Sequence, residues 1–240
     1  MMAKQARYVL IGGHGKVSIL ITKIASKSPY NWRIDSIHRN PSHDDDIRSA
    51  GGNPVRLDIE KASTDDLAMH LKDADGVIWS AGAGGNGGKE RTWAVDHEAC
   101  VRAYDAAIKA GVRRFVLVSA IDVRNRDKPP PEWYTKEDLV ASDRMWNAIP
   151  EYMKAKLAAE EDLYKRAGKL DWTVVRPSYL TDDPGTGKVA LGKAPLGKIP
   201  REDVARVVVG VMDEKGTIGK AFDLSAGDVP IDQAIKSVFE

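Results

Sequence analysis

Short β-branched runs alternate along the chain with longer stretches whose apolar residues recur every three or four positions. Tyr8 to Ile11 (YVLI) has the pattern of a buried strand, and Lys16 to Ala25, apolar at Val17, Leu20, Ile21 and Ile24, has that of a helix. Arg33 to Ile37 predicts a second strand and Asn53 to Leu57 a weaker third, and the helix DDLAMHL leads to a fourth, Gly76 to Trp79. A long helix is predicted from Thr92 to Ala110, with Gly111 as its C-cap signal, and RRFVLVSA follows as the clearest strand. A helix at Glu151 to Arg166, the strand DWTVVRP, a helix at Arg201 to Met212, the short strand AFDLS and a last helix complete the chain. This alternation predicts an α/β fold, a doubly wound parallel sheet with helices on both faces.

Three stretches break the rhythm: Ala81 to Lys89 (AGAGGNGGK), Arg124 to Trp146, and Ser178 to Pro200. Each follows the carboxyl end of a strand, where open α/β sheets place their ligand crevice. They read as substrate-side loops, with 178–200 as a small C-terminal segment covering the substrate. A length of 240 residues, 42% of them hydrophobic, supports a full core, and no break in composition divides it, so a single domain over 1–240 is expected. The net charge of +1, from 36 basic and 35 acidic side chains without a block of either sign, argues against nucleic acid as a partner and against a polybasic membrane address. The single cysteine, Cys100, forbids an intrachain disulfide and, inside a helix, is expected to be buried and inert. The start MMAKQARYVLIGG is too short for a secretory or membrane-spanning segment, so a cytoplasmic protein is expected. Monomer and homodimer stay open. His43 with Asp44, Asp45 and Asp46 lacks ligand spacing and reads as a solvated turn, and no metal is expected.

The chemistry begins at IGGHGKVS. Gly12, Gly13 and Gly15 lie where the first strand turns into a helix; a dinucleotide's pyrophosphate needs bare backbone there, against the helix N-terminus. Ser18 stands where a third glycine is usual, and a tight strand-to-helix turn is the plainer reading of the same residues. Arg39, 24 residues past Gly15, offers a fixed cationic fork suited to the 2′-phosphate of NADP, with Lys16 as a second charge; otherwise it is an exposed strand-end residue. Asp58, ending the third strand, faces an adenine or is a solvated turn aspartate. Tyr152 and Lys156 share a helix face at i, i+4, a spacing at which an ammonium favours the phenolate of its neighbour. Ser119, at the end of the fifth strand, is placed to orient a carbonyl. Lysines are frequent in that helix, so the pair also reads as ordinary packing. Asp96 is a candidate for capping or orienting loops near the cofactor. Trp133, Tyr134, Trp146 and Tyr179 either wall a planar substrate or anchor the long loops.

Taken in order, IGGHGKVS, the RN after the second strand, GVRRFVLVSA, Tyr152 with KAKLAAEEDL, and DWTVVRPSYLTDDPGTGKV resemble an atypical short-chain dehydrogenase/reductase of the NAD(P)-binding, NmrA-like and biliverdin-reductase-B-like group. The resemblance spans nearly the whole chain. It implies a Rossmann-type fold with NADP(H) lying across the strand ends. Gly12, Gly13, His14, Gly15, Lys16 and Val17 would hold the pyrophosphate and Arg39 the 2′-phosphate. Asp58 and Ile59 would flank the adenine, and Ser80, Ala81 and Gly82 the ribose. Ser119, Lys156, Pro177, Ser178 and Tyr179 would lie by the nicotinamide end. Ser119, Tyr152 and Lys156 match the catalytic Ser-Tyr-Lys positions. The implied activity is an NADP(H)-dependent reduction of a small carbonyl, quinone or flavin. The alternatives are an NmrA-like regulator that senses cofactor without turnover and a sugar-nucleotide epimerase, for which the 63 residues after Pro177 leave little substrate domain.

Overall fold

The computed structural model describes residues 5–84 and 87–238. Its layering follows from the first strand, β1 (Arg7–Ile11), where Tyr8 and Leu10 enter one core and Val9 and Ile11 the other. A strand buried on both faces requires a helical layer over each. α1 (Lys16–Ala25) covers the first face, placing Val17 and Ile21 against β1 and against Ile34 of β2 (Arg33–His38). A short helix, α2 (Asp44–Ser49), leads to β3 (Asn53–Arg56). The opposite face receives α3 (Thr64–Leu71), whose Leu67 and Leu71 pack with Trp79 of β4 (Gly76–Trp79). A continuous helical run follows: α4 (Gly88–Trp93), a π turn at Ala94–Ala99, and α5 (Cys100–Lys109), which ends at Gly111 with φ +74° as the sequence predicts.

β5 (Arg114–Val118) precedes two helices, α6 (Lys136–Ala148) and α7 (Pro150–Tyr164), and then β6 (Asp171–Pro177). Three short strands, β7 (Tyr179–Thr181), β8 (Lys188–Gly192) and β9 (Lys198–Pro200), lead to α8 (Arg201–Asp213), β10 (Lys220–Ala226), β11 (Val229–Pro230) and α9 (Ile231–Ser237). The main sheet has the order β11-β8-β10-β6-β5-β4-β1-β2-β3, parallel from β3 to β10, with β8 and β11 antiparallel at one edge. Connections run outward from β1 to β2 and β3, then return to β4 on its other side. The order therefore reverses between β1 and β4, and the crevice opens above their carboxyl ends. Among the described residues no helix is long and apolar enough to cross a membrane.

Three predicted stretches differ from this. Arg124 to Trp146 is not a loop throughout, because Thr135 and Asp138 form a reciprocal capping box that starts α6: Asp138 N–H donates to Thr135 Oγ1 at 3.1 Å and Thr135 N–H to Asp138 Oδ2 at 2.9 Å. Ser178 to Pro200 is stranded rather than irregular. β7 pairs with β9, β8 joins β10, and Asp203 of α8 accepts the Thr186 and Gly187 N–H groups at 2.8 and 2.9 Å, fixing the PGTG turn. His43 to Asp46 is not a solvated turn. Asp44 begins α2, is buried, and accepts Arg56 at 2.8 Å and Arg48 at 3.2 Å.

Removing the α6 cap by Thr135→Ala is expected to cost about 1 kcal/mol, read as a lower urea midpoint at unchanged slope. Cys100 is fully buried, its Sγ 3.0 Å from Tyr104 Oη, and burial pushes its thiol up to about 12. A thiol reagent at about pH 8 should find no reactive cysteine until the protein unfolds, and then a single one.

Candidate active site

The turn after β1 is squeezed between the neighbouring strands. A Cβ on Gly12 (φ +87°) would stand 2.6 Å from Ala81 Cα, and one on Gly13 would stand 2.5 Å from Ser36 Cβ. These two glycines are demanded by packing, which the N–H groups of both reinforce by donating to Ile37 O at 3.1 and 2.8 Å. Gly15 differs. The atoms nearest to a Cβ there would be Ser18 Oγ, Gly12 O and Ser80 O, at 3.3 to 3.8 Å. Gly15 is also the N-cap of α1, with no side chain capping it and no acidic residue in the first turn, so the helix presents unmasked N–H groups at the crevice. Ser18, in the place of a third glycine, is wholly buried at the first turn of that helix.

Two cavities open from this point, of about 720 and 260 Å³, and both are lined by Gly15, Ser80, Ala81 and Gly82. Together they form one cleft across the strand ends. The larger takes in Lys16, Val17, Ser119, Tyr152, Lys156 and Pro177, and the smaller Gly12, His14, Arg39 and Ile59. Residues spread from 12 to 177 in sequence thus meet along one cleft. Gly13 is turned toward β2. Asp58 stays outside the walls, its Oδ1 accepting the Glu60 N–H at 3.1 Å. Ser178 and Tyr179 also stay out. Ser178 Oγ accepts the Gly197 N–H at 2.9 Å, Tyr179 is exposed, and Leu180 lines the cavity in their stead. None of Trp133, Tyr134 and Trp146 lines either cavity; Trp146 Nε1 donates to Asp122 Oδ2 at 3.0 Å and Trp133 packs beneath Lys193. The apolar walls are Ile149, Pro150 and Leu180 instead. Of the glycine-rich stretch, Gly84, Gly88 and Lys89 line the large cavity, and Gly85 and Asn86 lie outside the described residues.

The electrostatics of the large cavity centre on Lys156. It is buried, 3.1 Å from Asp96 Oδ1, and its ammonium stands 5.6 Å from the Tyr152 ring centre. Burial opposes its charge, but Asp96 and Tyr152 outweigh burial and hold its pKa above the ordinary lysine value. Tyr152 is raised as well: burial is the main cause, Asp96 adds to it, and Lys156 only partly offsets both. The spacing argument for a stabilised phenolate is therefore reversed here, because it counts the ammonium and not the burial of the phenol, to which the carboxylate beside the ammonium adds. Ser119 Oγ is buried in the cavity wall without a hydrogen-bond partner among the described residues, a donor that a bound carbonyl or hydroxyl would satisfy.

In the small cavity Arg39 is ion-paired with Glu60, which also receives Arg91 at 3.0 Å. His14 stacks on His43 at 3.5 Å and 9°, with its Nε2 2.8 Å from Asp46. Sequence reading misses Glu60 and Arg91, although Glu60 lies two residues from the aspartate it singles out. It also misses Arg201, which shares Asp182 with Lys16, each at 2.6 Å, closing a clasp between the glycine turn and α8. Lys16 and Asp182 are 166 residues apart, and no spacing rule joins them. An uncapped helix start, bare backbone at Gly15 and an orphaned hydroxyl at Ser119 fit an extended dinucleotide.

The model of the NAD(P)H-binding family matches residues 12–215. A protein of Schizosaccharomyces pombe, UPF0659 protein C216.03, is 41% identical over 231 residues, covering 95% of this chain and 93% of its own. YhfK of Bacillus subtilis, described as an uncharacterized sugar epimerase, is 33% identical over 95% of this chain and 98% of its own. Among solved structures, a putative NAD-dependent epimerase/dehydratase from Bacillus halodurans superposes with a TM-score of 0.80 at 26% identity, covering 97% of this chain and 99% of that one. With its glycine turn, reversed strand order and matching family model, the chain belongs to the NAD(P)H-binding family.

Proposed function

We propose that the protein is an NADP(H)-dependent oxidoreductase that reduces a small carbonyl, quinone or flavin acceptor. The observation that carries this reading is the continuous cleft, which has Arg39 at one end and Ser119, Tyr152 and Lys156 at the other. Bound as NADPH, the cofactor supplies the hydride. The α1 N–H groups, Lys16 and bare Gly15 hold its pyrophosphate. Arg39 takes the 2′-phosphate in exchange for its surface pairing with Glu60, a pairing of a kind worth about 0–1 kcal/mol against a bidentate dianion. Lys156 Nζ donates to ribose hydroxyls, and Ser119 Oγ donates to the acceptor oxygen. Tyr152 keeps its proton across neutral pH and gives it from Oη to that oxygen as negative charge develops there.

A group held above its ordinary pKa suits proton donation better than the abstraction that epimerisation starts with. The residues after Pro177 supply β7 to β11, α8 and α9, whose strands and helices complete the sheet and its covering layer, supporting a substrate smaller than a nucleotide sugar. The epimerase descriptions belong to relatives of this chain; its own cleft favours reduction.

Absorbance at 340 nm should show NADPH consumed in the presence of quinones, flavins, aldehydes or diketones, with NADH much slower. No turnover by folded protein that binds NADPH would replace this reading with a cofactor-sensing regulator. Tyr152→Phe is expected to lower kcat toward carbonyls by about 10²–10⁴ with cofactor affinity nearly unchanged. Arg39→Ala should weaken NADPH about tenfold, or 1.4 kcal/mol, and leave NADH alone, whereas Glu60→Gln should tighten NADPH. Equal losses for both cofactors in Arg39→Ala would remove Arg39 from 2′-phosphate recognition.

A further inference from the structure

We propose that Asp96 is a positioning residue for this reaction, one that fixes Lys156, ties it to the 81–84 loop and leaves Tyr152 to act as a proton donor. The inference rests on the reductase reading above and deepens it. Asp96 is completely buried, and its two oxygens face two parts of the cleft wall. Oδ1 lies 3.1 Å from Lys156 Nζ, and Oδ2 accepts the Ala83 N–H at 3.0 Å. The same carboxylate explains a glycine in the loop, since a Cβ on Gly82 would stand 3.1 Å from Asp96 Oδ1. Lys156 reaches past it to the Val118 carbonyl at 3.5 Å, beside Ser119.

The helix is irregular where it carries this residue. Ala94–Ala99 is a π turn between α4 and α5, a rare geometry that recurs at functional sites. Before the turn the helix buries no residue; from Val95 and Asp96 onward it buries one face against the sheet and α7.

A buried ion pair is weak evidence for stability, because desolvating both partners offsets most of their attraction. Its effect on neighbouring charge is larger. Glu160, one turn further along α7 from Lys156, is paired with Arg176. Tyr152 lies on the same helix, the Cys100 thiol on α5 is pushed up to about 12 and stays neutral, and Val118 and Ser119 on the β5 side are uncharged. His97 is turned away to Asp162 at 2.9 Å, and Glu151 is occupied by Trp93 Nε1 at 2.9 Å and Lys154 at 3.3 Å. Among the described residues Asp96 is the carboxylate that balances Lys156. Asp96 offsets part of the pull that Lys156 exerts on Tyr152, so burial decides and the phenol keeps its proton. Without Asp96 the ammonium would act alone and pull Tyr152 toward the phenolate.

The test reads tyrosine ionisation directly and needs no turnover. Ring-¹³C-labelled tyrosine is followed by NMR against pH, with Tyr152→Phe identifying the resonance. Asp96→Asn, which keeps an oxygen for the Ala83 N–H, is expected to lower the Tyr152 titration by about one unit or more, and Asp96→Glu to restore it. An unchanged titration in folded Asp96→Asn overturns the proposal. The double variant Asp96→Asn, Lys156→Gln buries no charge and guards against misfolding of the single one. Its tyrosine should titrate within about half a unit of wild type, and a rise of about one unit or more would mean that Lys156 alone governs Tyr152, overturning the proposal. Where turnover is present, the alkaline limb of the kcat profile for reduction should move to lower pH in Asp96→Asn by the same shift. Wild-type protein without turnover but with the expected titrations would remove the reductase reading and leave the Asp96 assignment standing.

Discussion

The chain leaves β1 through a gap with no room for side chains, and the architecture follows from that passage. Gly12 lies against the backbone of Ala81 after β4, and Gly13 lies against Ser36 of β2, each at a distance a Cβ would violate. Only a bare turn lets β1 sit between β2 and β4 while α1 starts directly above it. The reversal of strand order at that point separates the connections on either side and opens the crevice. Gly15, one step further on, is under no comparable steric demand and borders both halves of the cleft. Two glycines build the turn and the third leaves space.

Charge in the cleft follows a common arrangement. Lys16 and Arg201 share Asp182, Arg39 and Arg91 share Glu60, and Lys156 is matched by Asp96. The first two clusters are partly exposed, the Lys16–Asp182 pair most of all and so of the kind worth about 0–1 kcal/mol, and each holds two cations to one carboxylate. Such groups are oriented for an anion and can exchange partners at little cost. The Lys156–Asp96 pair is wholly desolvated, and separating it would leave a buried charge at a cost of about 3–5 kcal/mol. In the proposed reaction the outer clusters can therefore rearrange around phosphates while the inner pair stays fixed beside Tyr152.

Much of this was legible in the sequence because it is local. The alternating strands and helices, the glycine turn, the Gly111 cap and the i, i+4 tyrosine and lysine are short-range patterns, and the elements fall within a few residues of their predicted bounds. What escaped depended on partners far along the chain. The strand β8 exists because β10 offers it an edge, and the five residues KVALG alone do not announce it. α6 escaped because its polar sequence has little apolar periodicity, although the T-x-x-D of its capping box was present. Asp58 and Glu60 are equally plausible carboxylates on the page of a sequence, and only the turn after β3 decides which enters the cleft. Tyr152 shows the same limit, since its burial, to which Asp96 56 residues away adds, outweighs the effect read from its helical neighbour.

The central claim is that the turn after β1 is a nucleotide cradle and not only a tight strand-to-helix connection. Gly15→Ala separates the two, because a Cβ there meets no neighbour closer than 3.3 Å and the glycine's φ of −59° suits alanine. The measurement is NADPH affinity by calorimetric titration beside the melting temperature. A tenfold or greater loss of affinity, about 1.4 kcal/mol, with melting nearly unchanged is the predicted result. Unaltered affinity in the folded variant would contradict the account and return the glycine to a purely structural role.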